Sequence, residues 1–343
     1  MHKIKTLASD NYAGALPEMI EAITAANTGH AVSYGNDTVT GQSLKIFSKH
    51  FGEVADVRFV FNGTGANVLS LSTAVDPFCS VLCADCAHMY VDESTSPESF
   101  TGCRLIPIKT NADGKITVEA IEEKIIRVGD EHHPQVRILS ITQPTEYGTL
   151  YSLKEIRAIS DLLKQHNMYL HMDGARIFNA AVALNCTLKE MTSGSGVDIV
   201  SVGGTKVGML FGEAVAIFNR ALVRNLKFRH KRSMQMASKN RFIACQFQTL
   251  LEKKLWYPSA KNANNMAALL HEQIKTIPEI TVTKPVQVNA VFATIPRSWT
   301  QKLQDDKFFY VWDELTNEVR WMCAFDTSKE DIDEFVNTIK KLT

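Results

Sequence analysis

The chain has 343 residues, with 37 Lys or Arg matched by 37 Asp or Glu for a formal net charge of zero. Apolar residues make up 45% and charged residues 22%, ordinary proportions for a folded globular chain, so disorder and coiled coil are disfavoured. The even charge balance lacks the basic excess a nucleic-acid partner asks for, and a small neutral or zwitterionic substrate fits better.

The stretch Met1 to Asp10 has no signal-peptide apolar run, and no later segment approaches the roughly 18 to 20 apolar residues of a membrane span. A cytoplasmic protein with no membrane partner is expected, its seven cysteines reduced. Short apolar runs then alternate with helical periods. The expected strands are Val57 to Phe61, Val81 to Ala84, Arg104 to Ile108, Arg137 to Ile141, Met168 to Met172, Ile199 to Val202 and Ala214 to Phe218. Such alternation predicts an α/β fold with a largely parallel sheet covered by helices on both faces. Ligands bind beyond the carboxyl ends of such strands, where Asn62, His88, Gln143, Asp173 and Gly203 emerge. From about Leu222 the pattern turns helical, over Lys239 to Lys254 and from Tyr257 to about Thr276. After Pro278, strands at Ile280 to Thr283, Asn289 to Thr294, Phe308 to Val311 and Val319 to Cys323 mix with helices at Pro296 to Gln304 and Lys329 to Lys341. The chain is therefore divided into a large domain, 1–255, and a smaller α+β domain, 256–343.

Asn62-Gly63-Thr64-Gly65-Ala66-Asn67 follows a strand and opens a helix, the arrangement in which free N–H groups and the positive helix end hold a phosphate. It is neither a P-loop nor a dinucleotide turn. His88, just past the next strand, can stack on a flat ring or move protons near neutral pH. Cys79, Cys83, Cys86 and His88 form a Cys-x3-Cys-x2-Cys-x-His cluster, but the spacing matches no usual zinc site and buried thiols account for it, so no metal is expected. Asp173 ends one apolar strand, and Lys206 follows the next, 33 residues later. A carboxylate there can pair with a pyridinium nitrogen and a lysine can form an imine with an aldehyde, which together suggest pyridoxal 5'-phosphate (PLP).

Arg176 stands at the start of the next helix, a place that disfavours cations, and its fork can grip a substrate carboxylate; Arg320, in a late strand, is a second such residue. Arg224 to Arg241 holds seven Lys or Arg residues among aromatics. A solvated or subunit-facing helix pair is its expected form.

Taken in order, Ala8-Ser9-Asp10-Asn11-Tyr12, Phe61 to Asn67, Ala87-His88, Leu170 to Arg176, Gly203-Gly204-Thr205-Lys206, Gly212-Glu213-Ala214 and Arg320 to Cys323 resemble the low-specificity L-threonine aldolases, PLP enzymes of fold type I. The resemblance implies a seven-stranded large domain and retro-aldol cleavage of β-hydroxy-α-amino acids to glycine and an aldehyde. By the family pattern Lys206 would carry the cofactor, Asp173 would pair with its ring nitrogen, and His88 would stack on the ring. Gly63, Thr64 and Gly65 would hold its phosphate. Ser9, Arg176 and Arg320 would hold the substrate carboxylate, with residues 1–15 reaching the active site. A homotetramer built from dimers is implied, the basic helices around Lys231 to Lys239 reaching a neighbour's site. The base for the β-hydroxyl is expected to be His88 or one of His132 and His133. Rival readings are a phenylserine aldolase, a β-eliminating lyase, or a non-catalytic interaction protein on the same fold.

Overall fold

A computed structural model describes residues 5–343. All seven expected strands of the large domain are present. They are β1 (Asp56–Val60), β2 (Cys79–Ala84), β3 (Arg104–Ile108), β4 (Gln135–Thr142), β5 (Tyr169–Gly174), β6 (Ile199–Gly203) and β7 (Glu213–Ile217), in the order β1-β7-β6-β5-β4-β2-β3. Only β7 runs against its neighbours. Strands β2, β5, β6 and β7 are buried along nearly their whole length. Residues such as Val200, Val202, Ala214 and Ala216 lie under helices on both faces, which is why these segments are apolar throughout and do not alternate.

Strand β7 follows β6 by a short connection and so returns antiparallel, while the other strands send their carboxyl ends to one rim. Its amino-terminal residue, Glu213, therefore reaches that rim too, paired with Gly203 of β6 and Val60 of β1. Helices α1 (Pro17–Ala26) and α2 (Thr38–Phe51) pack with helix Arg241–Glu252 on one side of the sheet. There Phe47 stacks on Phe51 at 5.4 Å, and Phe247 lies 5.3 Å from both Phe47 and Phe59.

The carboxyl-terminal part forms a second sheet from β8 (Thr281–Val282), β9 (Ala290–Thr294), β10 (Tyr310–Asp313) and β11 (Glu318–Met322), ordered β10-β11-β9-β8 and antiparallel. Its separate core centres on Trp321, with Phe335 at 5.4 Å and Phe309 at 5.9 Å. Helix Trp256–Ile274 joins the two cores, with Ala260 in the first and Leu270 in the second. Leu7 also belongs to the second core, its N–H donating to Phe308 O and its carbonyl accepting from Met322 N. The amino-terminal strap thus lies on the small lobe before crossing to the large one. Among the described residues no helix is long and apolar enough to cross a membrane.

The aromatic cluster sets a packing test. Phe247→Ala should cost about 3–5 kcal/mol, seen as an earlier denaturation midpoint, while Phe78→Ala at an exposed position should stay within about 0.5 kcal/mol.

Candidate active site

Helix α3 (Gly63–Ala74) starts where β1 ends. The Asn62 side chain caps it by accepting from Gly65 N at 2.8 Å, leaving the N–H groups of Gly63 and Thr64 without helical partners. No atom lies within 4 Å of where a Cβ on Gly63 would stand, so this turn is an open cradle suited to a phosphate. Gly65 departs from expectation, because its N–H is spent on the cap. A Cβ there would meet the Gln235 side chain at 2.4 Å. Gln235 Oε1 accepts from Phe61 N at 3.0 Å, so Gly65 is bare to let this side chain brace the turn.

The cradle opens into a cavity of about 260 Å³ lined by Gly63, Thr64, His88, Asp173, Lys206 and Glu213, among others. Five of the expected residues therefore meet at one place. The Lys206 ammonium enters no ion pair or hydrogen bond among the described residues, so its amine is available to an aldehyde. Asp173 is buried, with Oδ1 accepting from Ala175 N at 3.0 Å and Oδ2 from Asn67 Nδ2 at 2.8 Å. Two donors leave a carboxylate room to accept from a ring N–H as well. A cradle of open N–H groups, a held carboxylate and an unpaired lysine fit the phosphate, the ring nitrogen and the aldehyde of PLP.

Behind them runs a buried chain of hydrogen bonds. Asn67 Nδ2 also donates to Glu93 Oε1 at 2.9 Å, and that oxygen holds His88 Nδ1 at 2.8 Å. Asn67 Oδ1 accepts from Ser201 Oγ at 3.0 Å, whose oxygen stands 3.0 Å from His171 Nε2, and Ser140 Oγ lies 2.8 Å from His171 Nδ1. With the Ser201 proton given to Asn67, the ring proton of His171 sits on Nε2 and Ser140 donates to Nδ1. Burial pushes the His171 pKa down to about 4, so it stays neutral. The hydrogen bond to Glu93 holds the His88 pKa above its ordinary value.

Of the expected carboxylate clamp, Arg176 already has a partner within the chain, donating through Nε and Nη2 to Asp10 at 2.7 and 2.9 Å. A guanidinium buried at a helix start needs a counter-charge, and Asp10 supplies it. Burial opposes ionisation of Asp10, but the Arg176 pair outweighs it and the pKa falls below the usual carboxylate range. Ser9 caps the turn Asp10–Tyr12 by accepting from Asn11 N at 3.2 Å. Arg320 is the less committed cation. Its Nη2 reaches only Ala8 O at 3.3 Å, its Nε is buried without a partner, and the guanidinium lies over the Trp312 ring at 4.8 Å. Burial and the nearby Arg176 charge lower its pKa, the condition of a cation short of an anion.

His132 and His133 are not brought to the site. They precede β4, whose carboxyl end is the one at the cavity, so the eight-residue strand sets them about 25 Å away within one subunit. Gln143 has gone to structure, bridging the Tyr151 backbone with Nε2 donating to its carbonyl and Oε1 accepting from its N–H. Cys79 and Cys83 are buried in β2, and burial pushes the Cys83 thiol up to about 12. Sequence reasoning missed the roles of Asn67, Glu93, Glu146, Glu213 and Asp10. Of these only Asn67 carried a legible signal, a polar residue on an otherwise apolar helical face.

The model of the beta-eliminating lyase family matches residues 6–297. The chain is 38% identical over 334 residues to a low-specificity L-threonine aldolase of Pseudomonas sp. (strain NCIMB 10558), covering 97% of this chain and 96% of that one. It is 37% identical, with the same coverage, to the Pseudomonas aeruginosa protein of that description. The solved structure of Leishmania major threonine aldolase superposes with a TM-score of 0.93 at 26% identity, covering 98% of this chain and 99% of the other. At 17% identity and a TM-score of 0.76, a putative L-allo-threonine aldolase from Listeria monocytogenes shares the fold over 99% of this chain and 96% of its own.

Glu213 supplies a pH test of this geometry. Oε2 accepts from Gly204 N at 2.6 Å just before Lys206, and burial raises its pKa from 4.5 to about 7. A carboxyl whose folded pKa lies above its unfolded one gives its full stabilisation below the unfolded pKa and loses it as pH rises through the folded pKa. Cofactor-free protein should therefore lose stability on the order of 3 kcal/mol between about pH 4.5 and 7. Glu213→Gln should flatten that slope in denaturant titrations at successive pH values.

Proposed function

The chain belongs to the beta-eliminating lyase family, a family dependent on PLP, and on that premise we propose that it cleaves L-threonine, L-allo-threonine and related β-hydroxy-α-amino acids to glycine and an aldehyde. Near end-to-end similarity to two low-specificity L-threonine aldolases carries this reading, and the meeting of Lys206, Asp173, His88 and the Gly63-Thr64 cradle in one cavity supports it.

When bound, PLP supplies an electron sink for a bond broken at Cα. The protein's work is to place its own groups around that sink. The first-turn N–H groups of α3 and the positive helix end hold the phosphate. Asp173, fixed by Asn67 and Ala175, would pair with the ring nitrogen. His88, tethered through Nδ1 to Glu93, would offer a flat ring to stack, and Lys206 would supply the amine that holds the cofactor's aldehyde. Arg320, with unspent donors, takes the substrate carboxylate, backed by the Asp10–Arg176 pair and by Ser9. Holding that carboxylate fixes the torsion about Cα, so that the Cα–Cβ bond is the one aligned for cleavage.

Two sheets and two main cores support a division into 1–255 and 256–343, with the strap around Leu7 packed on the small lobe. We place the protein in the cytoplasm as a homotetramer built from dimers. Phe61, Tyr90, Leu210, Phe228 and Met234 are all exposed, apolar side chains that a subunit interface would cover, and Phe61 stands at the cavity itself.

The decisive measurement feeds threonine, serine and cysteine separately and follows acetaldehyde, glycine and pyruvate. Acetaldehyde with glycine from threonine is expected, and pyruvate without glycine would sink the aldolase reading. Borohydride reduction should tag Lys206 in a peptide map, and Lys206→Ala should lose both colour and turnover. Arg320→Gln should raise KM for threonine by at least about tenfold, the scale of a charged hydrogen bond, with little change in stability.

A further inference from the structure

Resting on the aldolase reading, we propose that Glu146 is the catalytic base that takes the proton of the substrate's β-hydroxyl as the Cα–Cβ bond breaks. Glu146 lines a small cavity of about 50 Å³ together with His88, Asp173, Arg176 and Lys206. Five of its lining residues, Gly63, His88, Asp173, Ala175 and Lys206, also line the larger cavity. Oε1 accepts from His88 N at 3.2 Å, while Oε2 has no partner among the described residues. One oxygen is thus fixed and the other is uncommitted, in a cavity shared with Asp173 and Lys206.

The other basic groups are committed elsewhere. His88 has Nδ1 bound to Glu93 Oε1 and would be held as the ring that stacks on the cofactor. Asp10 is spent on Arg176. His132 and His133 stand at the far rim. Burial and the Asp173 charge raise the Glu146 pKa, against the lowering pull of His88, Arg176 and Lys206. Arg320 and the Cys86 thiol also feel its charge. A carboxylate made more basic than usual suits proton abstraction from an alcohol whose bond to carbon is breaking.

In the step itself the hydroxyl O–H bond breaks and its proton passes to a Glu146 oxygen. The O–H electron pair becomes the second bond of the aldehyde carbonyl, and the Cα–Cβ pair passes to Cα, where the bound cofactor delocalises it. A proton supplied by water completes glycine, and Glu146 gives its own proton back to water.

The holoenzyme variant Glu146→Gln tests this, because glutamine keeps an oxygen to accept from His88 N–H and nearly the same shape, yet cannot take a proton. Two reactions are followed in parallel: threonine cleavage, and exchange of the glycine α-hydrogen in deuterium oxide, which involves no β-hydroxyl. Cleavage should fall by about 10²- to 10⁴-fold while exchange stays within about threefold of wild type. The low-pH limb that ionisation of Glu146 imposes on kcat/KM should vanish from the residual activity. Cleavage within about threefold of wild type, or equal loss of cleavage and exchange, would overturn the proposal, the second by showing a positioning role alone. Wild-type protein that exchanges glycine but makes no aldehyde from threonine would overturn the aldolase reading instead.

Discussion

The amide of Asn67 is the joint on which this site depends. Its nitrogen donates to Asp173 and to Glu93, and its oxygen accepts from Ser201. One side chain on one helix thereby sets the carboxylate and, through Glu93, the histidine that we propose meet the cofactor ring. A neutral amide suits this place because it satisfies two buried carboxylates without adding charge, and each of them alone would be costly to bury. Substituting an aspartate there would put three carboxylates together, and a leucine would take one donor from each of the two. The polar chain continues through Ser201, His171 and Ser140 across three adjacent strands, β6, β5 and β4. The sheet's own register therefore aligns the network.

Those strands are also where the chain was most legible. Their boundaries follow from apolar runs that a doubly covered sheet requires, and each expected strand appears within two residues of its expected ends. The antiparallel return of β7 was not legible. It follows from a short connection that allows no crossover helix, and it carries Glu213 to the rim beside Gly204. Glu213 was expected only as part of a stretch shared with the resembled family, since nothing in Gly212-Glu213-Ala214 says which rim the residue reaches.

The site divides the same way. Lys206, Asp173, His88 and the Gly63-Thr64 turn announce themselves because each lies at or a few residues past the carboxyl end of a strand, so their placement needs only the strand's direction. Arg176 shows the limit. Its position at a helix start correctly signals a need for a negative partner, but the sequence cannot say whether that partner is a substrate or Asp10, 166 residues earlier. The structure chooses Asp10 and leaves Arg320 undersupplied. Glu146 and Glu93 were invisible for a related reason: each sits in a turn or short helix where an acidic residue is ordinary, and only the fold turns it inward.

Asp10 and Glu146 then show how two carboxyl groups in one cationic neighbourhood come to behave differently. Both feel Arg176 and Lys206, and burial penalises the charge on both. Asp10 receives two direct N–H donors from Arg176 and a third from Asn289 Nδ2 at 3.1 Å, so its ionised form is favoured and its pKa drops. Glu146 receives one backbone N–H and lies in the field of Asp173, so its pKa rises. The difference comes from direct hydrogen bonds, which fall off within an ångström, against Coulomb fields, which both groups share. Environments that drive paired acids apart in this way assign one to hold charge and the other to exchange protons. Asp10 keeps Arg176 in place as a fixed charge, and Glu146 remains the carboxyl of the pair with a free oxygen and an accessible protonation change.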